Sequence, residues 1–221
     1  MFFKILYTIV ILSVLFFHKS VSFAMVNSPK PEPTVVAQKT YSLADRYGNS
    51  YVNNVFSDNI LLTLAYMVRI VKNGQNVNWN MVNSPFTYQL ILKPGQTFAF
   101  HDEILPQYKN SVVETTNAHF DSSQGFKSDG WLVGDGVCHL ASFMNVVARS
   151  AGLKVNAPTP HNFAKIADVP AKFGVAIYYT PNSPSSSALQ NLYITNNFNK
   201  PIAFVFNHSG SNLNIKVEKL N

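Results

Sequence analysis

The chain has 221 residues, of which 47% are hydrophobic, 17 are Lys or Arg, 11 are Asp or Glu, and one is cysteine. Its formal charge of +6 forms no basic stripe with interleaved aromatics, which argues against nucleic-acid binding. The single cysteine excludes an internal disulfide; with dispersed histidines it also lacks the close ligand pairs of a zinc site, so no metal is expected.

Residues 1–24 read as an export signal: Lys4 supplies charge, Ile5 to Phe17 an apolar run, and Ser22-Phe23-Ala24 a small-x-small cleavage site. The run is shorter than the ~20 apolar residues of a membrane-spanning helix, which favours cleavage. Left uncut, it would be an N-terminal membrane anchor. Either way the expected location is secreted or cell-surface, outside the cytoplasm. Residues 25–40, with three prolines in "NSPKPEPTVVAQKT", read as a linker. Residues 41–221 then suffice for one domain and leave no room for a second full one.

"SDNILLTLAYMVRIVKNG", residues 57–74, predicts a helix capped by Ser57, with Ile60, Leu64, Met67 and Val71 on one face and Gly74 at its end. An Asn-rich connection carries Trp79, read as an ordinary polar loop in preference to a glycan-stacking face. "FTYQLILKPGQTFAF", residues 86–100, predicts two short strands around a Pro-Gly turn. The polar stretch from His101 to Trp131 contains "DSSQGFKSDG", the kind of loop that walls a cleft. Leu140, Met144, Val147 and Ala151 then recur at helical spacing before Gly152, which puts Cys138 in the first turn of a helix.

Beyond that helix the period shortens toward two. "HNFAKIADV", "GVAIYYT", "LQNLYITNN", "PIAFVFNH" and "LNIKVEKL" are strand candidates, with "NHSGSN" as a hairpin turn. The predicted fold is α+β: a cysteine-bearing helix packed on an antiparallel meander, with an additional N-terminal helix.

The chemistry centres on "GDGVCHLAS", residues 134–142. A thiolate is the reactive form of cysteine, and the partial positive charge at a helix N-terminus favours it. Gly134 and Gly136 leave the preceding loop bare, so a substrate carbonyl can approach and backbone N–H groups can face its oxyanion. Asp135 opposes thiolate formation unless it points to a cation or a substrate amine. Free cysteine also packs as a small buried hydrophobe, so a non-catalytic thiol stands as the alternative. Of the candidate bases His101, His119, His139, His161 and His208, His139 is adjacent in sequence but projects about 100° away on the helix, which suits a substrate-facing or oxyanion role. His161, in "PTPHNF", begins the first predicted strand after the helix, where its imidazole can meet the thiol.

These motifs resemble the VanW-like domain of bacterial cell-surface proteins. The family pattern runs from a "PGxxFSF" turn, through "GGGVCQ" opening a helix, to "HPHS" and a strand near "DLxFxN". This chain has "PGQTFAF" (94–100), "GDGVCHLAS" (134–142), "PTPHNF" (158–163) and "NLYITNN" (191–197) in the same order, so the likeness spans roughly residues 57–218. Asp135 stands where the family has glycine, His139 where it has glutamine, and Asn191 where it has aspartate.

The resemblance implies a peptidoglycan-modifying cysteine enzyme needing no cofactor. Cys138 would be the nucleophile, His161 its base and Asn191 the residue orienting the histidine, with Gly134, Asp135, Gly136 and His139 around substrate and oxyanion. The implied partner is a peptidoglycan stem peptide, and the implied reaction is L,D-transpeptidation that forms 3→3 cross-links through a Cys138 acyl-enzyme. A carboxypeptidase or endopeptidase using the same thiol, and a non-catalytic wall-binding module, are the alternatives.

Overall fold

The computed structural model of the protein describes residues 32–72 and 76–221. The export signal expected at residues 1–24 and the first part of the expected linker lie outside the described residues. Among the described residues no helix is long and apolar enough to cross a membrane.

In chain order the elements are β1 (Thr34–Ser42), α1 (Ser50–Met67), α2 (Trp79–Val82), β2 (Phe86–Leu92), β3 (Thr97–Ala99), β4 (Val112–Glu114), α3 (Val137–Ser150), β5 (Lys154–Asn156), α4 (Pro184–Leu189), β6 (Tyr193–Thr195), β7 (Ile202–Ser209) and β8 (Asn212–Lys219). The fold is α+β. One sheet is antiparallel throughout, in the order β1-β8-β7-β2. The other has the order β4-β3-β6-β5 and is mixed, because β3 and β4 run parallel. The two strands predicted around the Pro-Gly turn at Gly95 exist, but β2 pairs with β7 and β3 with β6, so they do not pair with each other.

The first sheet follows from its sequence. The segments β7 and β8 form the expected hairpin, closing at Ser209 and Asn212 with Gly210 at φ 58°. Both faces of β7 are covered from Ile202 to Val205 and it reads as a continuous apolar run, whereas its neighbour β2 alternates exposed and covered side chains. The linker reading fails from Thr34 onward. After Pro33, "TVVAQKTYS" pairs along β8 from Thr34 opposite Lys219 to Ser42 opposite Asn212. Its β-branched residues suit a half-covered edge strand.

The first helix starts seven residues earlier than Ser57, because the Asn49 side chain accepts from the N–H groups of Tyr51 and Val52. It stops at Met67, and Arg69 adopts a left-handed φ of 62°. From Asn59 to Met67 every residue is buried, the pattern of a helix enclosed on all sides. Helix α3 touches β1 and β8 of the first sheet, β5 of the second, and α1. Tyr41 of β1 stacks on Phe143 of α3 with ring centroids 3.8 Å apart and donates its hydroxyl proton to the Phe143 carbonyl.

Two predicted strands do not form. Residues 161–169 and 174–180 are irregular: they come together only in one antiparallel bridge, Pro160 opposite Val175, through His161 N–H to Gly174 and Ala176 N–H to Thr159, while Tyr178 N–H goes to Gln190. Pro158, Pro160 and Pro170 cannot donate to a ladder, and Asp168 sits at φ 64°, which breaks an extended run.

Candidate active site

The loop that opens α3 is docked on α1 by two features. Gly136 is the N-cap at φ 102°, and a Cβ there would stand 2.6 Å from the Phe56 carbonyl oxygen, so only glycine allows this approach. Asn59, fully buried in α1, donates to the carbonyls of Lys127 (2.9 Å) and Asp135 (2.7 Å) and accepts from the Lys127 N–H (2.8 Å). One amide thus ties the wall loop and the cysteine loop to the same helix. Asn59 follows Ser57 and Asp58 at the edge of the apolar run of α1, so nothing in the sequence set it apart from an ordinary polar helix residue.

Cys138 is the second residue of α3. Its sulfur accepts from the Ile177 N–H at 3.4 Å and donates to the Ile177 carbonyl at 3.5 Å. Burial pushes the thiol up to about 11; the Ile177 N–H opposes that and the Asp135 carboxylate adds to it. The expected thiolate is therefore absent at neutral pH. A helix N-terminus contributes about 0.3–1 kcal/mol, less than one pKa unit, and desolvation outweighs it. The amides of Cys138 and His139 have no backbone carbonyl acceptor among the described residues, while Leu140 N–H is already bonded to Gly136. Two donors at the start of the helix that carries the sulfur are thus without a carbonyl partner, as an oxyanion site requires.

His161 lines the same cavity as Cys138. Its Nδ1–H donates to the Ala164 carbonyl at 3.0 Å, which fixes the tautomer and leaves a lone pair on Nε2. Burial lowers its pKa, so the ring is neutral at pH 7. The sulfur's hydrogen bonds among the described residues are to the Ile177 peptide, not to this ring.

Asn191 is not brought to His161. It is fully buried, accepts at Oδ1 from the N–H groups of Phe100, His101 and Leu192, and donates at Nδ2 to the carbonyls of His101 and Glu103. The neighbouring ring is that of His101, 3.3 Å from Nδ2 at Nδ1, whose Nε2 donates to Gln190. The orienting task at His161 falls to the Ala164 carbonyl, an acceptor that residue type does not encode. His208 is likewise elsewhere, on β7 with Nδ1 3.3 Å from the Ser84 carbonyl.

Gly134, Asp135, Gly136 and His139 all line the cavity, whose volume is about 490 Å³. Asp135 accepts from the Asp129 N–H at 3.1 Å, and burial together with the Asp129 carboxylate raises it to about 6. His139 is 2% exposed, lies edge-on to Phe56, and has no partner at Nδ1 among the described residues. Burial first, and the nearby Arg46 guanidinium second, lower it to about 3, so it is a neutral imidazole. Arg46 itself is anchored to the Asp168 carboxylate and the Ala167 carbonyl. Trp131, 90% exposed, and Phe163, 73% exposed, stand at the mouth. Trp79 is not part of it: the Lys127 ammonium covers its ring at 3.9 Å.

A second histidine pair was missed by the sequence reading. His119 lines the cavity, stacks on Tyr179 at 3.9 Å, and places Nε2 at 3.1–3.2 Å from both oxygens of Asp102. His119 had been weighed as a base, but nothing in the spacing of residues 102 and 119 marks them as neighbours. No group of three or more His, Cys, Asp or Glu among the described residues could hold a metal ion.

The family model described as "VanW like protein" matches residues 75–218, most of the chain. The chain belongs to the VanW-like family. Neither the curated proteins nor the solved structures compared with it gave a match. In this VanW-like protein the matched span carries Cys138, His161, His119 and Asp102, whereas β1 and α1, which supply Tyr41, Phe56 and Asn59, precede it.

Proposed function

We propose that this VanW-like protein is a cysteine acyltransferase of the cell wall, an L,D-transpeptidase acting on peptidoglycan stem peptides outside the cytoplasm. The observation that carries the reading is the shared cavity of Cys138 and His161, with two amides at the start of α3 that have no carbonyl partner among the described residues. Because thiol and imidazole are both neutral at rest, proton transfer accompanies attack. The Cys138 thiol passes its proton to His161 Nε2 as the sulfur bonds to the carbonyl carbon of the third stem residue. The oxyanion is received by the Cys138 and His139 N–H groups. His161 then gives the proton to the departing amine of D-alanine, leaving a thioester. An amine of a second stem takes the acyl group and frees the thiol, which makes a 3→3 cross-link.

Incubation with tetrapeptide muropeptides, followed by mass spectrometry, should show a Cys138-linked acyl-enzyme and 3→3 dimers. Equal products from the native protein and Cys138→Ala would sink the proposal. The exposed mouth around Trp131 favours a second reading, in which water enters and the same thioester is hydrolysed by a carboxypeptidase or endopeptidase; shortened monomers without dimers would identify it. The high thiol pKa is what supports a third, a wall-binding module with an inert cysteine. Saturable sedimentation with peptidoglycan, without any acyl-enzyme, would favour that module.

A further inference from the structure

At neutral pH an acceptor side-chain amine arrives as an ammonium. Converting it to an amide removes two protons: one must leave before the nitrogen has a lone pair to attack, and a second leaves as the tetrahedral adduct collapses. The balance is thioester plus R–NH₃⁺ giving amide, Cys138 thiol and one free proton. His161 can carry one proton to the departing sulfur, because it returned to its neutral form when the first amine left. The other proton needs a different acceptor. Water as nucleophile brings no such surplus before attack, since it is neutral when it arrives.

We infer that His119, held by Asp102, is that acceptor, a second base that deprotonates the incoming ammonium. The inference rests on the acyltransferase reading above. The two histidines line one cavity and are set in opposite tautomers. His161 is bonded through Nδ1–H to Ala164 and offers Nε2. His119 directs Nε2–H to the Asp102 carboxylate and offers Nδ1, for which no partner exists among the described residues. A carboxylate beyond the imidazole stabilises the imidazolium formed when the proton is taken, the role that a buried acid plays in catalytic triads. The pair is open to water, with the His119 side chain 35% exposed and Asp102 57% exposed, so the surplus proton has a route out. Stacking on Tyr179, parallel to within 9°, keeps the His119 ring in place. The backbone here is fixed independently of the ring, because the Gln124 side chain accepts from the His119 and Phe120 N–H groups.

The experiment uses the protein with His119→Gln, at a half-buried side chain, and Asp102→Asn, at an exposed one, each checked for a native unfolding midpoint. Acyl-enzyme formed from a tetrapeptide donor is quantified for each protein, and products are counted per acyl-enzyme so that any change in the first step divides out. The ratio of cross-linked dimers to hydrolysed monomers should fall by about tenfold or more, the lower side of what a lost general base removes. Hydroxylamine, a nucleophile that is already neutral at pH 7, should intercept the thioester equally well in native and variant proteins. An unchanged dimer-to-monomer ratio in both variants overturns the inference, as does an equal loss of hydroxamate and dimers, which would make His119 merely structural. Absence of any Cys138 thioester in the native protein is a different failure, and it removes the acyltransferase reading itself.

Discussion

At His101 the surrounding chain uses both ring nitrogens: Nε2 donates to Gln190, Nδ1 meets the Asn191 amide, and the residue is fully enclosed. At His161 one nitrogen is bonded to Ala164 and the other has no partner among the described residues, beside a cavity that also holds Cys138. Both rings are neutral, since burial takes His101 down to about 4 and lowers His161 as well. Burial and pKa therefore do not separate them. The difference lies in what the second nitrogen faces: a saturated ring fastens chain segments together, and a half-satisfied ring next to open space can take a proton. Asn191 belongs with the first case because its amide is spent on backbone groups around His101.

The largest expected effect tests the His161 side. His161→Gln should lower kcat/KM for acyl transfer by about 10²–10⁴-fold while the denaturant midpoint stays near that of the native protein; an active variant would remove His161 as the base. The next test reverses the pattern. Asn191→Ala strands several buried backbone groups that each cost about 1–3 kcal/mol, so equilibrium unfolding should show a loss of about 3 kcal/mol or more, with activity per folded molecule preserved. Loss of turnover in a variant that keeps its stability would return Asn191 to the chemistry.

A smaller effect concerns His139, a third buried imidazole, which has no partner at Nδ1 among the described residues. Its folded pKa of about 3 lies below the ordinary histidine value, so the unfolded chain binds the proton more tightly. Stability from the neutral ring is complete above about pH 6.5 and is lost as pH falls toward 3. His101, at about 4, acts in the same direction, whereas Asp135, raised to about 6, acts in the opposite one because its folded form holds the proton longer. His139→Gln should flatten the acid limb by about one proton, or about 1.4 kcal/mol per pH unit, in urea titrations between pH 6.5 and 4.5. An unchanged slope would mean that His139 is not buried neutral. The smallest effect is on the resting thiol. With Cys138 near 11, alkylation by iodoacetamide should climb about tenfold per pH unit between pH 7 and 9, and His161→Gln should alter it by less than about twofold. A plateau near neutrality that disappears in the variant would reveal a preformed thiolate and imidazolium.

Local signals were legible. The spacing of Leu140, Met144 and Val147, bounded by Gly136 and Gly152, marks α3, and the turn at Gly210 marks the last hairpin. What failed depends on partners distant in sequence. The strand from Thr34 forms against β8, at the other end of the chain, so the preceding prolines made it look like linker. Asn49 took the cap that Ser57 seemed to offer, because the helical run extends upstream through residues whose side chains carry little periodicity. At the site, Cys138 and His161 were picked out by residue type, but the thiol's high pKa follows from burial in the tertiary fold, only partly offset by the Ile177 N–H, and no motif records either. The Ala164 carbonyl and the meeting of Asp102 with His119 are tertiary in the same way.

The contact between Gly136 and Phe56 also sets how the protein can be divided. A fragment beginning at Gln75 would keep the whole family-matched span yet lose the Phe56 backbone on which the cysteine loop rests, Asn59, which joins that loop to its neighbour, and the β1 edge where Tyr41 lies on α3. The shortest piece able to hold the sulfur in position therefore begins near Thr34, and a homology boundary drawn at residue 75 cuts through a folding unit.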